Sequence, residues 1–188
     1  MPGFIKKHSA NKKTYEIPPG FSKLTYTLAQ TAVFSGLAIA LSFIEGLFPP
    51  IAFFPPGAKI GLSNTAVMFS ALKISFFSAI FTAVIKSCFV LITRGITAFL
   101  LSLSGSLLSA LITAFFIRFK PGRKFSFIGI GIIGGVCHNL GQFIMAFILM
   151  GKSIIFYLPY LLITGVITGA LTGTLFRFVL NKLKYSFK

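Results

Sequence analysis

One carboxylate, three bases and a few amide and imidazole side chains stand alone in sequence that is otherwise apolar. Glu45 is one of two acids in 188 residues; the other, Glu16, lies in a polar N-terminal stretch, and there is no Asp. Lys59, Lys86 and Arg94 are set in apolar surroundings, as are Asn64, His138, Asn139 and Gln142. Such groups are costly at membrane depth, so they face a cavity, an opposite charge or a neighbouring helix rather than lipid. Three bases against one acid favour an anionic or carboxylate-bearing ligand. Each residue also has a plainer reading. Lys59 and Arg94 can snorkel to lipid head groups. Glu45 and Lys86 can form an ion pair that only fixes the fold, and His138 and Asn139 can bridge adjacent helices.

Several other chemistries fail on residue type. Met150-Gly151-Lys152-Ser153 ends like a phosphate-binding loop, but Ala146 stands where its first Gly belongs, and no Asp is available to hold Mg²⁺. An Asp-rich Mg²⁺–diphosphate site is excluded for the same reason. The His-Glu-x-x-His pattern of a zinc protease is absent. Glu45, His138 and one of many serines supply the residue types of a Ser-based set, but no motif joins them. Cys88 and Cys137 fall inside apolar runs at a spacing that fits no metal site, and read as reduced core residues. The chain is therefore expected to be no enzyme, with no metal and no cofactor.

The elements that position these residues are apolar segments. Mean hydropathy is +0.91 and 55% of residues are hydrophobic, too apolar for a soluble domain. The length suits about six spans of roughly 20 residues with short loops, an all-α integral membrane bundle forming one domain. The segments run from about 26–48, 58–72, 74–93, 98–117, 125–150 and 154–180. The first ends at a proline-rich turn, Pro49-Pro50 to Pro55-Pro56-Gly57, which breaks a helix. The second is short and carries Asn64, so full crossing is left open. A basic tail over 1–25, a transmembrane domain over 26–181 and a basic tail over 182–188 complete the expected organisation. Residues 1–24 lack the apolar stretch of a signal peptide.

The net charge of +16 sits in short segments between apolar runs, which points to a membrane surface rather than nucleic acid. With the N-terminus in the cytoplasm, 14 of the 18 bases fall on the inner side and Lys59, Arg94 and Lys152 on the outer side, with Lys86 inside a span. The positive-inside rule then places both termini in the cytoplasm of a cell-membrane protein. Lys86 lies about 12 residues into the third segment, about 18 Å from its inner end at 1.5 Å per residue. In this topology Glu45, Lys59, Asn64, Lys86, Arg94, His138, Asn139 and Gln142 all fall in the outer half, where one pocket can gather them. Two strips of small residues recur every four positions: Ala32, Gly36 and Ala40 in the first segment, and Gly165, Gly169 and Gly173 in the last. Each allows close backbone approach. Internal packing is favoured for the last segment, and for the first a partner protein is the alternative.

The run Pro56-Gly57-Ala58-Lys59-Ile60-Gly61-Leu62-Ser63-Asn64 resembles the signature of the Gx transporter family. Ser102 to Ser109, Gly135-Val136-Cys137-His138-Asn139-Leu140-Gly141-Gln142, and Tyr157-Leu158-Pro159-Tyr160 before Gly165 to Gly169 fit the same pattern in the same order. The resemblance covers about residues 26–180. Members also carry the label heptaprenyl diphosphate synthase component I. The family looks related to the S components of energy-coupling factor (ECF) transporters. That relationship implies a six-helix membrane protein that binds a micronutrient from outside. It also implies a separate transmembrane scaffold and two cytoplasmic ATPases as partners. Ala32, Gly36 and Ala40 are similar to the scaffold-contacting strip of S components. The family's usual residue at position 86 is Arg, so Lys86 replaces a forked contact with a point charge. The function expected is capture of a small substrate in the membrane. A non-catalytic membrane partner in heptaprenyl diphosphate or quinone synthesis is the alternative. A self-contained secondary transporter using Glu45 as proton carrier is disfavoured by six short spans without a visible repeat.

Overall fold

The computed structural model describes residues 20, 22–47, 61–118 and 126–186, without the side chains of 117–118 and 179–186. Lys59, the proline-rich turn and most of the N-terminal tail lie outside the described residues. Every regular element among them is helical: α1 (Lys23–Leu47), α2 (Asn64–Lys73), α3 (Phe76–Arg118), α4 (Phe127–Met150) and α5 (Leu158–Ser186). A short 3-10 segment, Lys152–Tyr157, leads into α5. Four elements, α1, α3, α4 and α5 with its 3-10 lead, are long and apolar enough to cross a membrane.

α1 begins where Ser22 Oγ accepts the Thr25 backbone N–H at 3.1 Å, an N-cap that satisfies one of the free donors of the first turn. Its buried positions are Thr31, Ser35, Ala38, Ser42 and Glu45, at alternating spacings of four and three. Val33, Leu37, Phe43, Ile44 and Leu47 are exposed. Small and polar side chains point inward and large apolar ones outward, the reverse of a soluble helix. Lipid tails are as apolar as Leu, so nothing drives large apolar residues into the bundle, and interiors fill with small, hydrogen-bonding residues.

α2 is 10 residues long, about 15 Å at 1.5 Å per residue, half the thickness of a hydrocarbon core. The described helix by itself is shorter than a crossing, and the six-crossing topology requires the chain before it to contribute. It is buried continuously from Asn64 to Ser70 and packs against all four other helices.

Among the described residues there are five α-helical elements, and one of them is made of two helical limbs, so it covers two of the six expected segments. The reason lies at Gly95. The third and fourth expected segments are the two limbs of α3, 43 residues in all, which meet at a non-helical residue with φ 83°, ψ −178°. That left-handed φ carries a steric penalty for residues with a Cβ, and Gly escapes it. α3 is a hairpin rather than a rod. Ala83 and Ala110 share one buried cluster with Val67 and Ala79, yet a straight helix would hold Ala83 and Ala110 about 40 Å apart.

α4 and α5 make the closest helix contact. A Cβ added to Gly135 would lie 2.5 Å from the Gly165 carbonyl oxygen, and one on Gly169 would lie 2.6 Å from the Gly131 carbonyl oxygen. The glycine strip of the last helix is thus internal packing. Its counterpart on α4, Gly131 and Gly135, was not anticipated from the sequence. α5 continues to Ser186, five residues beyond the expected end of the transmembrane domain, and carries Lys182 and Lys184 in its last turns.

Candidate functional site

A cavity opens where α1, the turn before α2, both limbs of α3, and α4 meet. Glu45, Lys86, Arg94, His138 and Gln142 line it, together with Ser42, Gly61, Ser63 and Ser102. Its volume is about 20 Å³, room for roughly one water molecule. Glu45, Lys86, His138 and Gln142 are each at most 5% exposed, and Arg94 is half-buried.

Each side chain is held by a specific element. Glu45 is the last inward position of α1. Its carboxylate accepts the Leu62 backbone N–H at Oε1 and the Ser63 hydroxyl at Oε2, the latter at 3.0 Å. Those donors lie at the start of α2, where a negative charge is favoured by the helix dipole. Lys86, on the first limb of α3, donates to Ser106 Oγ on the second limb at 2.6 Å. Neighbouring Ser87 donates to Ser102 Oγ at 3.3 Å. Arg94 precedes the Gly95 bend. Glu45 interacts electrostatically with both Lys86 and Arg94, but among the described residues no ion pair joins them. The ion pair considered for Glu45 and Lys86 is therefore not formed here.

His138 and Gln142 are one turn apart on α4, and Gln142 Nε2 lies 2.7 Å from His138 Nε2. The imidazole fits between two glycine backbones. A Cβ on Gly61 would come within 2.9 Å of His138 Cδ2, and one on Gly105 within 2.9 Å of His138 Nδ1. Gly61 also has φ 90°. His138 Nδ1 is buried with no hydrogen-bond partner of good geometry, with the Gly105 backbone beside it.

Asn64 and Asn139, expected in the same pocket, are not among its lining. Asn64 Nδ2 donates to Ser109 Oγ at 2.6 Å, and Ser109 Oγ in turn donates to the Gly134 carbonyl at 2.8 Å. This chain ties α2 to α3 and α4. Asn139 Nδ2 donates to the Leu161 carbonyl at 2.8 Å and to Thr164 Oγ1 at 3.2 Å, bridging α4 to α5. One residue of helical rotation from His138 is enough to turn Asn139 onto that seam. Lys59 lies outside the described residues. Ala32, Gly36 and Ala40 are all exposed on α1, and a Cβ on Gly36 would meet nothing within 4 Å.

Ser42, Gly61, Ser63, Ser102 and Ser106 were not chosen from the sequence. The signal was there for Ser42, which lies three residues before Glu45 on the same inward face of α1. Ser102 and Ser106, four residues apart, likewise share one helix face.

Among the described residues the cavity gathers two cations, one carboxylate and an imidazole–amide pair, so with His138 neutral this part of its lining carries a charge of +1. Such a set can hold a compact oxyanion through charge-assisted hydrogen bonds. Among the described residues no three His, Cys, Asp or Glu side chains converge as a metal site would require.

An all-helical bundle with four elements apolar enough to cross a membrane, closed around a small charged cavity, is compatible with a multi-pass membrane protein that carries a buried polar site. Residues 34–179 match the family described as heptaprenyl diphosphate synthase component I, and the chain belongs to that family. No curated protein and no solved structure matches the chain.

Proposed function

We propose that this chain is the substrate-capturing membrane subunit of an ECF-type transporter. It takes an anionic micronutrient or precursor from outside the cell membrane, and both of its termini are cytoplasmic. The chain itself is non-catalytic. Energy comes from two ATPases acting through a transmembrane scaffold.

The observation that carries this reading is the cavity that places Lys86, Arg94, His138 and Gln142 together inside the bundle. Buried cations in a membrane interior are expensive, and an anionic ligand is the natural compensation. The exposed strip of Ala32, Gly36 and Ala40 supports the partner half of the reading. These residues are four apart and drift only about 40° per step around α1. Among the described residues no other helix covers them, which supports close packing with a scaffold helix there.

The test is Gly36→Leu in the full chain. It should abolish co-purification with a scaffold and its ATPases, and leave ligand binding by the isolated chain within a few-fold of normal. Unchanged co-purification would place the partner surface elsewhere.

A second reading rests on the family description, which names a synthase component. The chain would then serve as a non-catalytic membrane partner in heptaprenyl diphosphate synthesis. Co-purification with a soluble prenyl synthase instead of ATPases would favour it.

A further inference from the structure

The geometry points to Glu45 as a positioning residue rather than a ligand group: its carboxylate clamps the turn that holds His138, and the anion of the substrate is bound by Lys86 and Arg94. This rests on the cavity being the substrate site and assigns the chemistry within it.

Three observations lead there. First, each oxygen of the Glu45 carboxylate already accepts a donor from the start of α2, the Leu62 N–H and the Ser63 hydroxyl. Glu45 is 5% exposed, so these bonds replace its hydration. Second, the clamped turn begins at Gly61, whose backbone packs against His138 Cδ2 while the Gly105 backbone packs against the other edge of the ring. Release of the turn would remove one wall of the imidazole slot and free the ring. Third, no ion pair ties Lys86 or Arg94 to Glu45 among the described residues. Among the described residues Lys86 donates to Ser106, and an ammonium group with three hydrogens keeps donor capacity beyond that bond.

The ligand class follows from charge and size. Among the described residues two cations and one carboxylate leave the lining one positive charge in excess, and a compact oxyanion balances it in a low-dielectric interior. A cavity of about 20 Å³ admits no more than a small group at the depth of Lys86. The remainder of the substrate must lie toward half-buried Arg94. The oxyanion is a carboxylate or a phosphate ester, which have this recognition chemistry in common.

The experiment titrates the purified full chain in nanodiscs with acetate and with inorganic phosphate at constant ionic strength, reading thermal stabilisation. At least one anion should stabilise wild type; acetate alone indicates a carboxylate, phosphate alone a phosphate ester. Glu45→Gln keeps an acceptor for the Leu62 N–H and a partner for Ser63 while removing the negative charge. It should tighten anion binding by roughly tenfold. Ser63→Ala keeps the charge but loosens the clamp, and should weaken anion binding several-fold. If Glu45→Gln weakens binding, Glu45 is a ligand group and the assignment is overturned. If Glu45→Gln does not fold, Ser63→Ala decides, and unchanged or tighter binding there overturns it. Lys86→Met separates the two levels of the argument. If it leaves anion stabilisation intact, the cavity is not the anion site and the functional reading fails with it. If it abolishes stabilisation while Glu45→Gln fails to enhance it, the site stands and only the role of Glu45 falls.

Discussion

Lys86 Nζ lies 2.6 Å from Ser106 Oγ, twenty residues further along the same helical element. A straight helix would separate two such positions by about 30 Å. The bond exists because α3 doubles back at Gly95, and that fold brings Lys86, Arg94 and Ser102 to one cavity. An engineered cross-link checks the hairpin. Ser87 and Ser102 hydroxyls are 3.3 Å apart on opposite limbs. With Cys88 and Cys137 replaced by Ser, the pair Ser87→Cys and Ser102→Cys should form an intramolecular disulfide on mild oxidation. A straight α3 would give none.

Lys86 and Lys152 offer a contrast between an interior and a surface lysine. Lys86 is 2% exposed in the cavity wall, and Lys152 is exposed in the 3-10 segment. Once a ligand is identified, Lys86→Ala should weaken its binding by about 1.5–3 kcal/mol, roughly 10- to 100-fold. Lys152→Ala should leave it within about twofold of wild type, since exposed charges contribute little. Equal effects from the two would count against the cavity as the binding site.

The α4–α5 seam predicts a stability difference between two glycines. Gly135→Ala places a Cβ 2.5 Å from the Gly165 carbonyl oxygen, so the helices must separate, at a cost of about 1–3 kcal/mol. Gly36→Ala meets nothing within 4 Å and should hold or raise the melting temperature, because Ala favours a helix interior over Gly. Melting curves of the two variants in detergent check this; a neutral Gly135→Ala would show that the seam is looser than its geometry.

Much of this was legible in the sequence, and the failures have physical causes. The apolar segments announced the helices because most of them are long, and the short second one corresponds to the 10-residue α2. Glu45, Lys86, Arg94, His138 and Gln142 stood out because each is a costly group in apolar sequence, and all five line one cavity. Asn64 and Asn139 carried the same signal yet face helix seams. Composition reveals that an amide must be satisfied, but whether a cavity or a neighbouring backbone satisfies it depends on the rotation of the helix. The joining of two expected segments into α3 turned on Gly95 alone, which reads in sequence as an ordinary loop glycine. The glycine contacts of His138 were invisible because Gly61 and Gly105 lie 44 residues apart in the chain.

Orientation is open to direct chemical labelling. The basic stretch Arg118, Lys120, Arg123 and Lys124 is expected on the cytoplasmic side. In a background without Cys88 and Cys137, a cysteine at position 124 should react with an impermeant thiol probe only after the cells are opened. Labelling in intact cells would invert the topology and put the cavity's outer half on the wrong side.

The central claim is that this chain captures substrate while other chains supply the energy. Uptake by proteoliposomes tests it most directly, once a ligand has been found by thermal-shift screening against vitamins, flavins, quinone precursors and prenyl phosphates. The purified chain alone should bind the ligand without accumulating it, and addition of a scaffold and two ATPases with ATP should produce uphill uptake that Gly36→Leu eliminates. Accumulation against a gradient by the chain alone would contradict the account.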